Sequence, residues 1–309
     1  MKHASFFAAL TGAALLAACT TAPDETPLAA PMAPEVEAEA ETAAPAYDEA
    51  FPPAIEEISF DSHGDRLNGL VYVAEGEGPH PAVVLLHGFP GNEKNLDLAQ
   101  DMRAAGWNVL FFHYRGAWGS EGDYTLTHVI EDVASAADFL RTHADQYRTN
   151  PDHIVLVGHS MGGFASLQAA ARDDAIRCAA GIAPANVGAM AEFFEADPQA
   201  KAGFMAYSDS LQMLHGLTGE KIMAEIEANK DSFALQGLAP DLEGKRILIV
   251  GGDKDTSVPA DAIILPLIAA YEADPAIDTT GVVLSGDHSF SWSREELIST
   301  VIDWAEACR

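Results

Sequence analysis

From residue 58 to the C-terminus, short apolar runs alternate with stretches of helical periodicity. No other feature of the chain restricts its fold as strongly. The runs fall at 58–62, 67–73, 82–86, 109–113, 154–157, 179–183, 247–250 and 282–284. Several are continuous, as expected of strands covered on both faces. Helical patterns follow most of them, at 93–105, 126–143, 161–171, 260–271 and 294–307. Strands alternating with helices imply βαβ units and a mostly parallel sheet with helices on both faces, an α/β architecture. The first two runs are joined near His63-Gly64-Asp65 and are expected to pair antiparallel at one edge. Residues 186–243 break the rhythm, with no clear strand and four of the eight methionines, plus Phe193, Phe194, Phe204 and Tyr207. They predict a helical insertion between two sheet strands, most of it packing its own core and some of it lining an apolar pocket.

The N-terminus is of another kind. Lys2 is followed by an uncharged apolar run over 6–18, too short to span a bilayer but suited to an export signal. It ends Leu16-Ala17-Ala18-Cys19, which resembles the lipobox of bacterial lipoproteins. That resemblance implies cleavage before Cys19, lipid on Cys19 and more than one acyl chain, enough for stable anchoring. The alternative is an ordinary secretory signal cut nearby. Thr20 in second place, not aspartate, implies the periplasmic face of the outer membrane by the rule for enteric bacteria. Residues 19–53 are rich in Ala, Pro and acidic residues and contain no Lys or Arg. Such a segment buries too little apolar surface to offset its ordering entropy and is expected to be an extended tether. The folded body is then 54–309.

Charge narrows the partners. The chain holds 17 Lys and Arg against 47 Asp and Glu, a net charge of −30. Nucleic acid is excluded as a partner because phosphate binding needs a basic patch. Electrostatic docking on anionic lipid is disfavoured on the same ground, so membrane contact is expected through the N-terminal lipid only. Three cysteines exclude a disulfide scaffold and a four-cysteine zinc site. Cys178 begins a strand and Cys308 ends the last helix. Export permits them to pair, but sequence gives no distance between them. No P-loop, H-E-x-x-H or strand-linked G-x-G-x-x-G occurs, so neither a metal nor a cofactor is expected.

The chemistry concentrates at Gly158-His159-Ser160-Met161-Gly162, a G-x-S-x-G motif between a predicted strand and a predicted helix. A serine on that tight turn exposes its Oγ at the end of the sheet. The next amide, that of Met161, then points with the helix N-terminus at developing negative charge. With this motif in place, residues 58–309 resemble the α/β-hydrolase family. Within that resemblance, His87-Gly88-Phe89-Pro90-Gly91 matches the H-G-x-x-G loop, implying Phe89 as the second oxyanion amide and His87 as a structural histidine. The family order of serine, acid, histidine assigns the base to His288, in Ser285-Gly286-Asp287-His288, past the last strand. His215, inside the insertion, is expected to be a surface or lid residue. The D-x-x-V-P pattern in the loop 251–259 favours Asp255 as the acid. Asp253 is the alternative, otherwise expected to bond loop amides, and Asp287 is a third choice. The loop Tyr114 to Gly122 resembles the R-G-x-G-x-S-x-G loop of the family, with altered spacing at Ala117-Trp118-Gly119. Trp118 either touches substrate or braces that loop, and Trp292 is expected to pack.

The resemblance implies a serine hydrolase working through an acyl-enzyme on Ser160, taking a small-molecule or peptide substrate. A carboxylesterase is the first expectation and a peptidase of the prolyl-oligopeptidase or aminopeptidase type the second. The large propeller of full prolyl oligopeptidases is missing. Dienelactone hydrolases carry a cysteine where this chain has Ser160, and haloalkane dehalogenases an aspartate. An acyltransferase and a non-catalytic binding protein remain as lesser alternatives.

Overall fold

The computed structural model describes residues 47–309. The lipobox-like motif, Cys19 and the tether up to residue 46 lie outside the described residues. The body is built on one eight-stranded sheet in the order β1-β2-β4-β3-β5-β6-β7-β8. β1 (Ala54–Ser62) pairs antiparallel with β2 (Asp65–Val73), and β2 antiparallel with β4 (Asn108–Phe112). β3 (His80–Leu86), β4, β5 (Thr149–His159), β6 (Cys178–Ile182), β7 (Arg246–Gly252) and β8 (Asp278–Leu284) are mutually parallel. The eight predicted strands are all present, with the antiparallel pair at the expected edge. β4 and β6 are buried at every position, as unbroken apolar runs require when helices cover both faces.

The helices between the strands are α1 (Leu96–Ala104), α2 (Leu126–Thr142), α3 (Ala144–Tyr147) and α4 (Met161–Ala170). After the insertion come α8 (Leu265–Glu272) and α9 (Arg294–Glu306). α4 is buried along its whole length, which explains its lack of a polar face. α2 is capped by the Thr125 side chain, which accepts from the His128 amide at 3.0 Å.

Some boundaries differ from expectation. α1 starts at Leu96 rather than 93, because Asn95 adopts a left-handed conformation (φ 54°) that ends the preceding loop. The helix expected over 260–271 opens with a π-helical turn (Ala260–Ile264) before α8. Pro266 has no N–H and its ring crowds the carbonyl four residues back, so a regular helix cannot run through from Ala260. The end of the expected tether also belongs to the body: Gly76 N–H donates to the Phe51 carbonyl at 3.0 Å, and the Arg148 guanidinium lies 5.6 Å over the Phe51 ring.

The insertion is helical, as predicted: α5 (Val187–Ala196), α6 (Pro198–Asp209), α7 (Gly219–Ala228) and a 3-10 turn (Leu235–Leu242). It is tied to the loop after β4. Trp118 N–H donates to Met213 O at 2.9 Å, His215 N–H to Gly116 O at 2.7 Å, and Tyr124 N–H to His215 O at 2.9 Å. A disulfide joins Cys178, at the start of β6, to Cys308, just past α9. Among the described residues no helix is long and apolar enough to cross a membrane.

Candidate active site

β5 ends at His159 and α4 starts at Met161, so the whole reversal falls on Ser160. Its backbone is at φ 57°, ψ −119°, a region that costs a non-glycine residue free energy. The turn closes because its neighbours are glycines. A Cβ on Gly158 would lie 2.0 Å from the Gly162 carbonyl oxygen, and one on Gly162 would lie 2.3 Å from that of Leu86. Ser160 is held at both main-chain groups. Its N–H donates to Ile182 O at 2.8 Å, and its carbonyl accepts from Phe164 and Ala185, both at 3.0 Å.

The loops after β7 and β8 bring two further groups to the hydroxyl. His288 Nε2 lies 3.0 Å from Ser160 Oγ, and His288 Nδ1 lies 2.7 Å from Asp255 Oδ2. The carboxylate only accepts, so Nδ1 carries the proton and bare Nε2 faces the hydroxyl. Asp255 is buried, and its other oxygen accepts from the amides of Ser257 at 2.7 Å and Val258 at 2.8 Å. Three candidate side chains from separate loops thus form one continuous hydrogen-bonded chain. Asp253 is not in it. Its Oδ1 accepts from Gly286 N–H at 3.0 Å, and its pKa is lowered chiefly by its bond to the exposed Lys254 ammonium. Asp287 bonds the amide and hydroxyl of Ser291, both at 2.8 Å.

Met161 supplies the first amide of α4, which has no intrahelical acceptor. The loop bearing Phe89 lies against the nucleophile: a Cβ on Gly88 would sit 3.0 Å from that of Ser160. This loop is braced from beneath. His87 Nδ1 donates to Gly88 O at 2.8 Å, and His87 Nε2 accepts from His113 Nδ1 at 3.2 Å. Burial lowers the pKa of His87 to about 3 and that of His113 to about 4, so both are neutral at pH 7. Trp118 braces the loop: its Nε1–H donates to Pro90 O at 2.7 Å, and the Lys94 ammonium lies 4.8 Å over its ring. Trp292 does not pack as expected. It is 58% exposed, with Lys254 Nζ 5.8 Å from its ring centroid, because the loop after His288 turns it outward. His215 is exposed and pairs with Asp123 at 2.9 Å.

Aromatic residues of the insertion stand over the Phe89 loop. The Phe89 ring centroid lies 6.1 Å from Phe204, 6.2 Å from Tyr207 and 5.8 Å from Tyr124. Phe204 stacks on Phe194 at 5.1 Å, while Phe193 and Tyr207 remain exposed. A separate cavity of about 870 Å³, lined in part by Arg177, Lys245 and Cys308, opens at the other end of the sheet and touches neither Ser160 nor His288. Among the described residues no group of three or more His, Cys, Asp or Glu side chains is placed to hold a metal.

The family model described as "Alpha/beta hydrolase family" matches residues 83–300, most of the body and all three members of the hydrogen-bonded chain. The chain belongs to this family. The hydrolase is 30% identical over 140 residues to "Esterase EstD" of Thermotoga maritima, a match covering 40% of this chain and 33% of that protein. The match therefore spans about a third of that relative's length. It is 24% identical over 228 residues to "Quorum-quenching protein AidA" of Acinetobacter baumannii, covering 71% of this chain and 73% of that protein. Among solved structures, Est1E of Butyrivibrio proteoclasticus with ferulic acid bound superposes with a TM-score of 0.64 at 21% identity, covering 81% of this chain and 98% of that one. At that identity the likeness concerns the fold.

One participant escaped the sequence reading. His159 occupies a variable position of G-x-S-x-G and gave no signal of its own. The structure buries it beside His288, with Nε2 2.7 Å from the His288 carbonyl oxygen.

Proposed function

We propose that this hydrolase cleaves carboxylic esters through a covalent acyl-enzyme on Ser160. The observation that carries the proposal is the Ser160–His288–Asp255 chain, at 3.0 and 2.7 Å. In the first half-reaction Ser160 Oγ bonds to the ester carbonyl carbon as its proton passes to His288 Nε2. The carbonyl oxygen gains the negative charge, facing the Met161 and Phe89 amides. Asp255 holds the imidazole in the productive tautomer and stabilises its charged form. Collapse breaks the ester C–O bond, and the departing alcohol takes the proton from His288. Water then repeats the sequence and releases the acid.

Esterase names among the relatives support the ester over the amide. The aromatic wall of Phe89, Phe204 and Tyr207 favours an apolar or aromatic group next to the scissile bond. We further propose a lipid anchor at Cys19 and a place in the bacterial cell envelope, at the periplasmic face of the outer membrane. The Cys178–Cys308 bond supports a compartment outside the cytosol, since disulfides persist under oxidising conditions. Ala54 begins β1 opposite Val73, at the end of the sheet away from Ser160.

The test is hydrolysis by protein lacking residues 1–46. p-Nitrophenyl esters of rising acyl length and aryl esters are set beside aminoacyl and prolyl p-nitroanilides, with Ser160→Ala as the blank. Ser160-dependent ester turnover without anilide turnover is the expected result. Anilide cleavage at comparable efficiency refutes the ester assignment in favour of a peptidase.

A further inference from the structure

His159, next to the nucleophile, touches both the loop bearing His288 and the loop bearing Phe89, although it belongs to none of the expected roles. Its Nε2 lies 2.7 Å from the main-chain oxygen of His288, and the two imidazole centroids are 4.7 Å apart. Its Nδ1 is buried without a hydrogen-bond partner and faces the Phe89 loop, 3.4 Å from where a Cβ of Gly88 would stand. A carbonyl only accepts, so Nε2 of His159 carries the proton and donates. Burial, followed by the neighbouring His288, lowers the His159 pKa to about 4, so the ring is neutral in the working range.

This hydrogen bond holds the backbone from which the base projects. Asp255 fixes one end of the His288 imidazole but not the main chain behind it. Around His288, the Gly286 amide is bonded to Asp253, the Asp287 carboxylate to Ser291 and the Ser289 carbonyl to Arg294. The His288 carbonyl is bonded to His159. We propose that His159 is a positioning residue for the base: its Nε2–H clamps the His288 main chain, so that the imidazole stays between Asp255 and Ser160 while the proton moves. The proposal rests on the acyl-enzyme reading of the site. A neutral ring suits this task, because a second cation 4.7 Å from the imidazolium would oppose its formation.

The test compares His159→Gln, whose amide N–H reaches the position of Nε2, with His159→Asn, whose shorter amide does not. p-Nitrophenyl butyrate turnover is measured, active sites are counted by titration with a fluorophosphonate, and Ser160→Ala is the blank. Counting sites removes any effect of misfolded protein. A misplacement of about 1 Å at the base costs on the order of 10²-fold, so His159→Asn is expected to lose about that much kcat per titrated site, with KM within about twofold. His159→Gln is expected to recover to within about fivefold of the parent. If Asn retains the parental kcat, or if Gln is damaged as badly as Asn, the clamp is refuted, the second result pointing to packing of the ring. If the parent protein shows neither Ser160-dependent turnover nor fluorophosphonate labelling of Ser160, the acyl-enzyme reading itself falls and the clamp with it.

Discussion

The Cys178–Cys308 bond permits a prediction whose size follows from connectivity. The two residues are 130 apart in sequence, so the bond closes a long loop in the unfolded chain. The loop-closure relation puts the lost unfolded-state entropy at about 5 kcal/mol at 25 °C, and native disulfides in practice contribute about 2–5 kcal/mol. For a body of about 260 residues, the unfolding entropy near Tm is about 0.55 kcal/mol/K. Removing the bond is therefore expected to lower Tm by about 4–9 °C. Activity should be spared. Ala179 pairs with Leu156, so Cys178 lies about five residues below Ser160 along parallel strands, about 16 Å away. The assay is calorimetric Tm and ester turnover at 25 °C for the parent with and without reductant, and for Cys178→Ala/Cys308→Ala. The expected pattern is a lower Tm for both the reduced parent and the double variant, with unchanged kcat. An identical Tm for oxidised, reduced and variant protein would refute the reasoning, because the constraint would then contribute nothing to the folded state's advantage.

Three further outcomes are expected. Ser160→Ala or His288→Ala lowers kcat by on the order of 10⁶ and Asp255→Ala by about 10⁴, read by ester turnover against a folded control. Acid should loosen the body: His87 and His159 have folded pKa values of about 3 and about 4, against 6.5 in the unfolded chain. Between those values the unfolded state binds more protons, so the stability these groups contribute is complete above pH 6.5 and is lost as pH falls through the folded values. At pH 5 the loss is about 2 kcal/mol for each, measurable as a shift of the urea midpoint that His87→Phe should reduce. Finally, Asp132 is fully buried and accepts from the Arg115 amide at 2.7 Å, Arg115 Nε at 2.6 Å and Ser62 Oγ at 2.6 Å. Asp132→Ala removes the acceptor of the Arg115 amide, Arg115 Nε and Ser62 Oγ, leaving the guanidinium its ion pair with the part-exposed Glu131, and is expected to cost about 3 kcal/mol by denaturant unfolding, unlike Asp138→Ala on the exposed face of α2.

Much of the site was legible because its chemistry is local in sequence. Gly158, Ser160 and Gly162 belong to one turn, and the steric need for glycine on both sides leaves a pattern readable along the chain itself. Strands such as β4 and β6 announced themselves through unbroken apolar runs, since a strand covered on both faces has no polar side to show. The choice of Asp255 over Asp253 rested on a resemblance. The physical distinction between them is that Asp255 is buried facing His288, while Asp253 is turned to Lys254 and the Gly286 amide.

What only the tertiary structure decided depends on contacts between distant segments, which leave no periodicity to read. The meeting of Cys178 with Cys308, the outward turn of Trp292 and the bracing of Pro90 by Trp118 are all of this kind. So is the clamp of His159 on His288, which joins residues 129 apart. The amino-acid sequence alone determined the order of elements, the nucleophile's turn and the acidic surface, because backbone sterics, burial periodicity and charge act residue by residue. Which side chains become partners was decided by folding, because a hydrogen bond or disulfide exists only once the sheet has set the distance between its two ends.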